Sequence, residues 1–281
     1  MYIKELIERG ISYLKLKSTE VKIERASRNT NKNLKLWPSS LNLMMVDVCN
    51  SECIMCGCDY QNCGSAEFLT LNKIKKIYNH LIPGKLVEVI YGGGGEPFLN
   101  PELSEIAEYT KLTCPTVQHT VISNFISASA DVLEVLLKNR VNFLISINAS
   151  TKETYKKISG VDAYEKVCKN IHKLVDLRKK IKSLSGISVS IILMKQNIDE
   201  LSNLVRLAHS IGVDSVKAVY VRIYPEKYRV KKNGRIHILP NDSLFFHQSK
   251  SNHEILSAAA LAKKLGTSFS HQPLFGCDGK K

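Results

Sequence analysis

Short apolar runs alternate along the chain with longer segments in which apolar residues recur every three or four positions. The apolar runs predict strands, because strands buried on both faces of a parallel sheet are nearly continuous in Val, Ile and Leu. The longer segments predict helices with one buried face, as in the crossover connections that join parallel strands. The predicted strands are 41–48, 87–91, 120–123, 141–147, 187–193 and 215–221.

Helical segments lie between these strands. We expect Asn197 to cap the helix before the sixth strand and Gly212 to end it, since these residue types favour the two helix termini. The predicted helices cover 71–81, 101–111, 130–138, one or two within 152–182, the segment from Asn197 to Gly212, and 253–265. Six alternating units predict an α/β fold with mainly parallel strands, arranged as a partial, TIM-like (β/α)6 barrel. In such sheets ligands bind at the carboxyl ends of the strands.

The pattern divides the chain into three parts. Residues 1–40 carry a helical stripe of apolar positions and form an N-terminal preamble. Residues 41–225 hold the six strand–helix units and form the predicted core domain. Residues 226–281 form a basic loop followed by a C-terminal extension, in which 266–274 is a last strand or a loop.

Composition narrows the class of protein. Apolar residues make up 44% of the 281 residues, which excludes a disordered chain, and no apolar run reaches the length of a membrane span. Charged residues interrupt the apolar positions at the N-terminus, so this segment is not a signal peptide. We therefore expect a cytoplasmic protein whose eight cysteines are reduced.

The net charge of +14 favours acidic or phosphate-rich partners. The segment 220–235 interleaves three tyrosines with six Lys and Arg residues, a pattern typical of loops that stack bases and neutralise phosphates. It follows the sixth predicted strand, on the side of the sheet where ligands bind. It is therefore either a substrate loop, for nucleic acid or an acidic peptide, or a solvated surface loop.

Three cysteines follow the first predicted strand in a C-x3-C-x2-C pattern, at Cys49, Cys53 and Cys56. Closely spaced thiolates on an irregular loop suit an iron–sulfur cluster, and three ligands leave one iron of a four-iron cluster open. A zinc site is the alternative, with Cys58 or Cys63 as a fourth thiolate. Structural zinc sites usually pair two knuckles, however, and the sequence has no second one.

Polar and glycine residues follow the next three predicted strands. The run Gly92–Gly95, followed by Glu96, allows the backbone to pass close to a ligand, with the carboxylate near a ligand ammonium. Asn124 follows the third strand. Ser146 and Asn148 end the fourth strand and point the same way, so both can bond ribose hydroxyls. These residues and the cysteines all fall at carboxyl ends, where one site is expected.

The cysteine spacing and the glycine–glutamate motif together resemble the radical S-adenosylmethionine enzymes, over about residues 41–221. The resemblance implies a 4Fe–4S cluster on the three cysteines, whose open iron chelates S-adenosylmethionine. It implies reductive cleavage of that cofactor to a 5′-deoxyadenosyl radical, which abstracts hydrogen from a substrate, and a flavodoxin- or ferredoxin-like electron donor. The residues that it assigns to S-adenosylmethionine are Met55, Gly93, Gly94, Gly95, Glu96, Asn124, Ser146 and Asn148.

The sequence departs from the family pattern at three positions. Met55 stands where an aromatic residue commonly packs on adenine, Phe125 where glycine usually follows the asparagine, and Asn148 where aspartate is common. A peptide or protein is the expected substrate, because the chain resembles peptide modifiers that continue into a cysteine-rich domain for auxiliary clusters. Cys277 is the one cysteine in the extension, so we expect that auxiliary-cluster domain to be absent or truncated in this sequence. The alternatives are nucleic acid or a small metabolite as substrate, and a non-catalytic or zinc-binding module on the same fold. No residue is assigned as a catalytic acid or base.

Overall fold

The computed structural model describes residues 38–57, 66–81, 85–223 and 238–276. They contain one sheet of seven strands in sequence order, and each strand pairs in parallel with the next. This confirms the predicted α/β fold. The strands are β1 (Ser40–Leu43), β2 (Glu88–Tyr91), β3 (Gln118–Ser123), β4 (Asn142–Ser146), β5 (Ile187–Leu193), β6 (Ser215–Tyr220) and β7 (Ser268–His271).

The helices occupy the predicted crossover segments. The segment 152–182 contains two helices, because Gly160 adopts a left-handed conformation (φ +79°) that ends the first. The helices are α1 (Leu71–Asn79), α2 (Leu103–Thr113), α3 (Ala130–Lys138), α4 (Lys152–Ser159), α5 (Tyr164–Ile181), α6 (Leu201–Ile211) and α7 (Gln248–Leu265).

The helix before β6 ends as predicted but begins differently. Gly212 ends α6 in a left-handed conformation. Asn197 lies, as predicted, at the start of the helical segment, where a 3-10 turn (Ile198–Glu200) leads into α6, but its side chain makes no capping hydrogen bond. The Asn197 side chain is buried instead. It accepts a hydrogen bond from Met194 N and donates to Ile192 O. Buried backbone groups must find hydrogen-bond partners, and the Asn197 amide supplies them here.

The hydrophobic core lies between the sheet and its helices. Alternate strand residues, such as Val89, Val121 and Ile145, are buried in it. The opposite, inner face of the sheet carries both polar and apolar side chains near the amino ends of the strands, and these line a cavity of about 400 Å³. One face of the sheet therefore stabilises the fold, and the other is available to ligands.

The first strand is shorter than the predicted 41–48. Pairing with β2 stops at Leu43, and the following residues turn away to meet other partners. Met45 O accepts hydrogen bonds from Leu69 N and from Asn100 Nδ2. This turn carries the chain from the edge of the sheet into the cysteine segment.

The described part of the C-terminal extension continues the same sheet. After α7, strand β7 pairs with β6 at Ser215–Ala218, so the sheet has one strand more than the six predicted. Asn252 on α7 exchanges two hydrogen bonds with the backbone of Phe275. Residues 1–37 of the preamble, the basic segment 224–237 and Cys277 lie outside the described residues, and the three-part division stays a prediction. Within the described ranges, no helix is long and apolar enough to cross a membrane.

Candidate active site

The carboxyl ends of the strands border a cavity of about 780 Å³. All eleven residues that were predicted to form the site line this cavity, which brings four separate β/α units together. Their individual roles remain predictions. The wall also contains residues that the motifs did not indicate: Ser51, Gly57, Ile122, Ser123 and Ile192. Ile122 and Ile192 lie on the inner face of β3 and β5, so strand alternation was the signal that could have found them.

The cysteine loop, residues 49–57, is held by backbone hydrogen bonds on two sides. Glu52 N and Ile54 N donate to Ser159 O (2.8 Å) and Ile158 O (2.9 Å) at the end of α4. Ile54 O in turn accepts from Ile238 N at 3.1 Å. Met55 packs beside these contacts in a small apolar cluster with Ile158, Met194, Val221 and Ile238. The loop is irregular yet anchored, as a cluster-binding segment must be.

The arrangement of the three thiols bears on the kind of metal centre. All three cysteines are half-buried in the cavity wall. Among the described residues, no three His, Cys, Asp or Glu side chains converge on a point that would hold a single metal ion. A zinc ion needs its ligands around one atom, whereas each thiolate of a 4Fe–4S cluster binds a different iron. Three thiols on one loop in the wall of one cavity are the donor set of a cluster with one open iron. The possible zinc ligands Cys58 and Cys63 lie outside the described residues.

The glycine loop packs against the segment that leads into the cysteines. Gly95 has φ +59°, and a Cβ atom there would clash with Val46 O and lie 2.6 Å from Val48 O. Glu96 N donates to Val48 O at 2.8 Å. The close backbone approach that was predicted toward a ligand is, at Gly95, an approach to the protein's own chain. Glycine is required there because the two loops touch.

Glu96 is a buried carboxylate on the cavity wall, with 1% of its surface exposed. Its Oε1 accepts from Ser123 Oγ (2.6 Å) and Phe98 N (3.1 Å), and its Oε2 accepts from Asn124 N (2.8 Å). Burial raises the pKa of Glu96 to about 7, although the three hydrogen bonds lower it. Within the described ranges no Lys or Arg pairs with this carboxylate. Such a group fits the ammonium of a ligand.

Asn124 joins the end of β3 to the cysteine loop. Its Nδ2 lies 2.7 Å from Asn50 Oδ1, 3.1 Å from Ser51 Oγ and 3.6 Å from Cys49 Sγ. The next residue, Phe125, is fully buried with φ +65°, a left-handed conformation that costs a non-glycine residue about 1–2 kcal/mol. Edge-to-face packing of its ring on Phe98 and Phe143 offsets that strain.

Ser146 and Asn148 lie on the same wall, as predicted from their alternation. Asn148 Oδ1 accepts a hydrogen bond from Ile192 N at 2.8 Å, which ties the end of β4 to β5. This bond orients the amide so that a ligand in the cavity would meet its Nδ2 donor. An aspartate at this position would offer only acceptors.

Sequence comparison assigns the chain to a family. The profile of the Radical SAM superfamily matches residues 43–208. A probable GTP 3′,8-cyclase from Saccharolobus islandicus is 25% identical over 185 residues, which cover 64% of this chain and 56% of that protein. The corresponding protein from Sulfurisphaera tokodaii is 27% identical over 186 residues, covering 64% and 55%. The chain thus spans about half the length of these curated relatives.

Solved structures share the fold at low sequence identity. Streptococcus suis SuiB bound to S-adenosylmethionine superposes with a TM-score of 0.64 and 11% identity, covering 92% of this chain and 56% of that one. Native anSMEcpe with bound AdoMet superposes with a TM-score of 0.63 and 15% identity, covering 84% and 64%. The chain belongs to the radical SAM superfamily, whose members use a 4Fe–4S cluster and S-adenosylmethionine.

Proposed function

We propose that this protein is a radical SAM enzyme that holds a 4Fe–4S cluster on Cys49, Cys53 and Cys56. The observation that carries the proposal is that the cysteine loop, the glycine loop and the polar ends of β3 and β4 line one cavity of about 780 Å³. Bound together and given an electron, the cluster and S-adenosylmethionine supply a 5′-deoxyadenosyl radical, which abstracts hydrogen from the substrate.

Different residues of the cavity contact different parts of S-adenosylmethionine. Glu96 accepts hydrogen bonds from the ammonium group of the methionine part of the cofactor. The backbone of Gly93–Gly95 leaves room for that part. Ser146 and Asn148 bond the ribose hydroxyls, and Met55 covers the adenine ring through its flexible thioether. Ile122 and Ile192 supply apolar wall that keeps water from a reactive species.

For the substrate we propose a peptide or protein. The supporting observation is that SuiB bound to its precursor peptide SuiA superposes on 93% of this chain with a TM-score of 0.64, at 13% identity. A flavodoxin- or ferredoxin-like protein is the proposed electron donor.

A nucleotide is the second candidate substrate. The two curated relatives described above, each named probable GTP 3′,8-cyclase, are 25% and 27% identical to this chain, above the 11% of SuiB and the 15% of anSMEcpe. The net charge of +14 also suits a polyphosphate.

Radical generation is tested on anaerobic protein reconstituted with iron and sulfide. After addition of a strong chemical reductant and S-adenosylmethionine, we expect 5′-deoxyadenosine from the wild type and none from Cys53→Ala. Cys168→Ser is the matched control, because this half-buried cysteine lies on α5, outside the cavity wall, and its variant should retain iron and product. Product formation that survives Cys53→Ala, or a wild type that binds zinc rather than iron, would contradict the proposal.

Deuterium transfer separates the two substrate classes. Deuterated GTP and a deuterated peptide library are each supplied to the reconstituted enzyme, and 5′-deoxyadenosine is analysed by mass spectrometry. Deuterium from the peptides supports the first proposal. Deuterium from GTP would overturn the first proposal and support a nucleotide as the substrate.

A further inference from the structure

The amide of Asn124 contacts a predicted cluster ligand directly. Its Nδ2 approaches three acceptors on the cysteine loop, but an amide nitrogen carries only two hydrogens. One hydrogen serves Asn50 Oδ1, the shortest contact at 2.7 Å. The other lies between Ser51 Oγ at 3.1 Å and Cys49 Sγ at 3.6 Å. A sulfur that carries negative charge is the stronger acceptor of these last two, so the thiolate form of Cys49 draws this hydrogen.

The orientation of this amide is fixed before any ligand binds. Asn124 Oδ1 accepts a hydrogen bond from Ile126 N at 3.0 Å, which leaves Nδ2 facing the cysteine loop. Asn124 N donates to Glu96 Oε2 at 2.8 Å, which holds the backbone of the same residue. The left-handed turn at Phe125 is locked by its buried ring. Donors that are oriented in advance stabilise charge without the cost of reorganisation.

We propose that Asn124 is a positioning residue that donates a hydrogen bond to the Cys49 sulfur and thereby raises the reduction potential of the cluster. The proposal rests on the proposed function, since it requires the cluster on Cys49. A hydrogen bond to a ligating sulfur favours the reduced cluster, because reduction adds negative charge that the donor stabilises.

A purely structural role is the alternative for the same residue. Asn124 bonds Asn50 as well as Cys49, so its loss could loosen the loop without any electronic effect. Asn50 offers the matched control. Asn50→Ala removes the 2.7 Å clamp to Asn124 but leaves the amide beside Cys49.

The first measurement is the midpoint potential of the reconstituted cluster, from a redox titration followed by electron paramagnetic resonance without S-adenosylmethionine. We expect a more negative midpoint for Asn124→Ala and the wild-type midpoint for Asn50→Ala. An unchanged midpoint in Asn124→Ala, or equal shifts in both variants, would overturn the proposal.

A second measurement does not depend on whether Asn124→Ala retains its iron. Asparagine labelled with ¹⁵N in the side-chain amide is incorporated into Asn50→Ala, and the reduced cluster is examined by pulsed electron–nuclear double resonance. We expect a coupling between the electron spin of the cluster and the ¹⁵N of an asparagine side chain. Labelled Asn124→Ala protein that holds a cluster should lack this coupling. Absence of the coupling from Asn50→Ala would overturn the proposal. Neither measurement needs turnover, so failure to form 5′-deoxyadenosine would count against the proposed function alone.

Discussion

The inner face of the sheet carries two cavities whose walls are built differently. The cavity near the amino ends is bounded by strand side chains, and their polar groups meet partners on the adjacent strand or just before it. Ser188 Oγ lies 2.7 Å from Ser215 Oγ, and Asn142 Oδ1 accepts from Gly186 N at 2.8 Å. At the carboxyl ends, Glu96 and Asn124 instead join loops from β1, β2 and β3.

The difference shows where this fold places its chemistry. Strand register brings similar small residues side by side, and they satisfy one another within the sheet. Loops can bring together groups of different chemistry, here thiols, a buried carboxylate and an amide. Changes at the carboxyl-end cavity should therefore affect metal binding and radical formation, and changes at the amino-end cavity should not.

The largest expected effect is that of Gly95→Ala. An added Cβ atom would collide with Val46 O, so the cysteine loop must move; we expect loss of iron binding and destabilisation by at least about 3 kcal/mol. Gly266→Ala is the control, since Gly266 also has a positive φ (+71°) but has no atom within 4 Å of the added Cβ. It should cost only about 1–2 kcal/mol and retain iron. Urea unfolding and iron content measure both effects, and normal iron content in Gly95→Ala would contradict the loop contact.

Substitution of Phe125 should have the next largest effect on stability. Phe125→Ala should lower the free energy of unfolding by about 3–5 kcal/mol, because it empties a fully buried site. Phe125→Gly should be more stable than Phe125→Ala by roughly 1 kcal/mol, since glycine relieves the left-handed strain. This reverses the usual order of stability, in which an alanine variant is more stable than the glycine variant. Urea unfolding of both variants checks it, and an alanine variant that is the more stable of the two would argue against the strain.

Glu96 should give the protein a distinctive pH dependence. Its pKa is raised to about 7, so between its ordinary value of 4.5 and about 7 the folded chain keeps a proton that the unfolded chain has lost. The free energy of unfolding should therefore fall as pH rises through this window, by up to about 3 kcal/mol from this group. Urea unfolding of metal-free wild type and Glu96→Gln at several pH values isolates the contribution. Equal pH slopes in the two proteins would show that Glu96 is not the cause.

Ser188→Ala should have the smallest effect. It removes one serine–serine hydrogen bond at the amino-end cavity, worth about 1 kcal/mol of stability. Iron content and the rate of 5′-deoxyadenosine formation should equal those of the wild type. A variant with normal stability and no product would place chemistry at the amino-end cavity and contradict the assignment of chemistry to the carboxyl-end cavity.

Hydrophobic periodicity predicted most of the fold, because buried parallel strands leave an apolar signal in the sequence. Strand 187–193 and helix 130–138 were predicted with the boundaries that the structure has. Strand β7 was predicted only as a strand or a loop, since Ser268–His271 is short and mostly polar and is defined by pairing with β6. The end of β1 was set five residues too late, at 48 rather than at Leu43, because the turn after Leu43 depends on long-range partners such as Asn100.

The sequence indicated many of the residues that line the candidate cavity but not the contacts that they make. Motif spacing and strand ends placed every candidate residue on one cavity wall. The reason for Gly95 could not be read from the sequence, because the contact that demands it lies on a segment almost fifty residues earlier. Phe125 was identified as a departure from the family pattern, but its strained turn and its aromatic partners appear only in three dimensions.

The most direct test of the central proposal is the electron paramagnetic resonance spectrum of the reduced, reconstituted protein with and without S-adenosylmethionine. If three cysteines leave one iron open beside Glu96 and the glycine loop, the cofactor should bind that iron and change the spectrum of a 4Fe–4S cluster. Gly266→Ala should show the same change. A 4Fe–4S spectrum that S-adenosylmethionine leaves unaltered, or a protein that assembles no cluster, would contradict the assignment of this cavity as the active site.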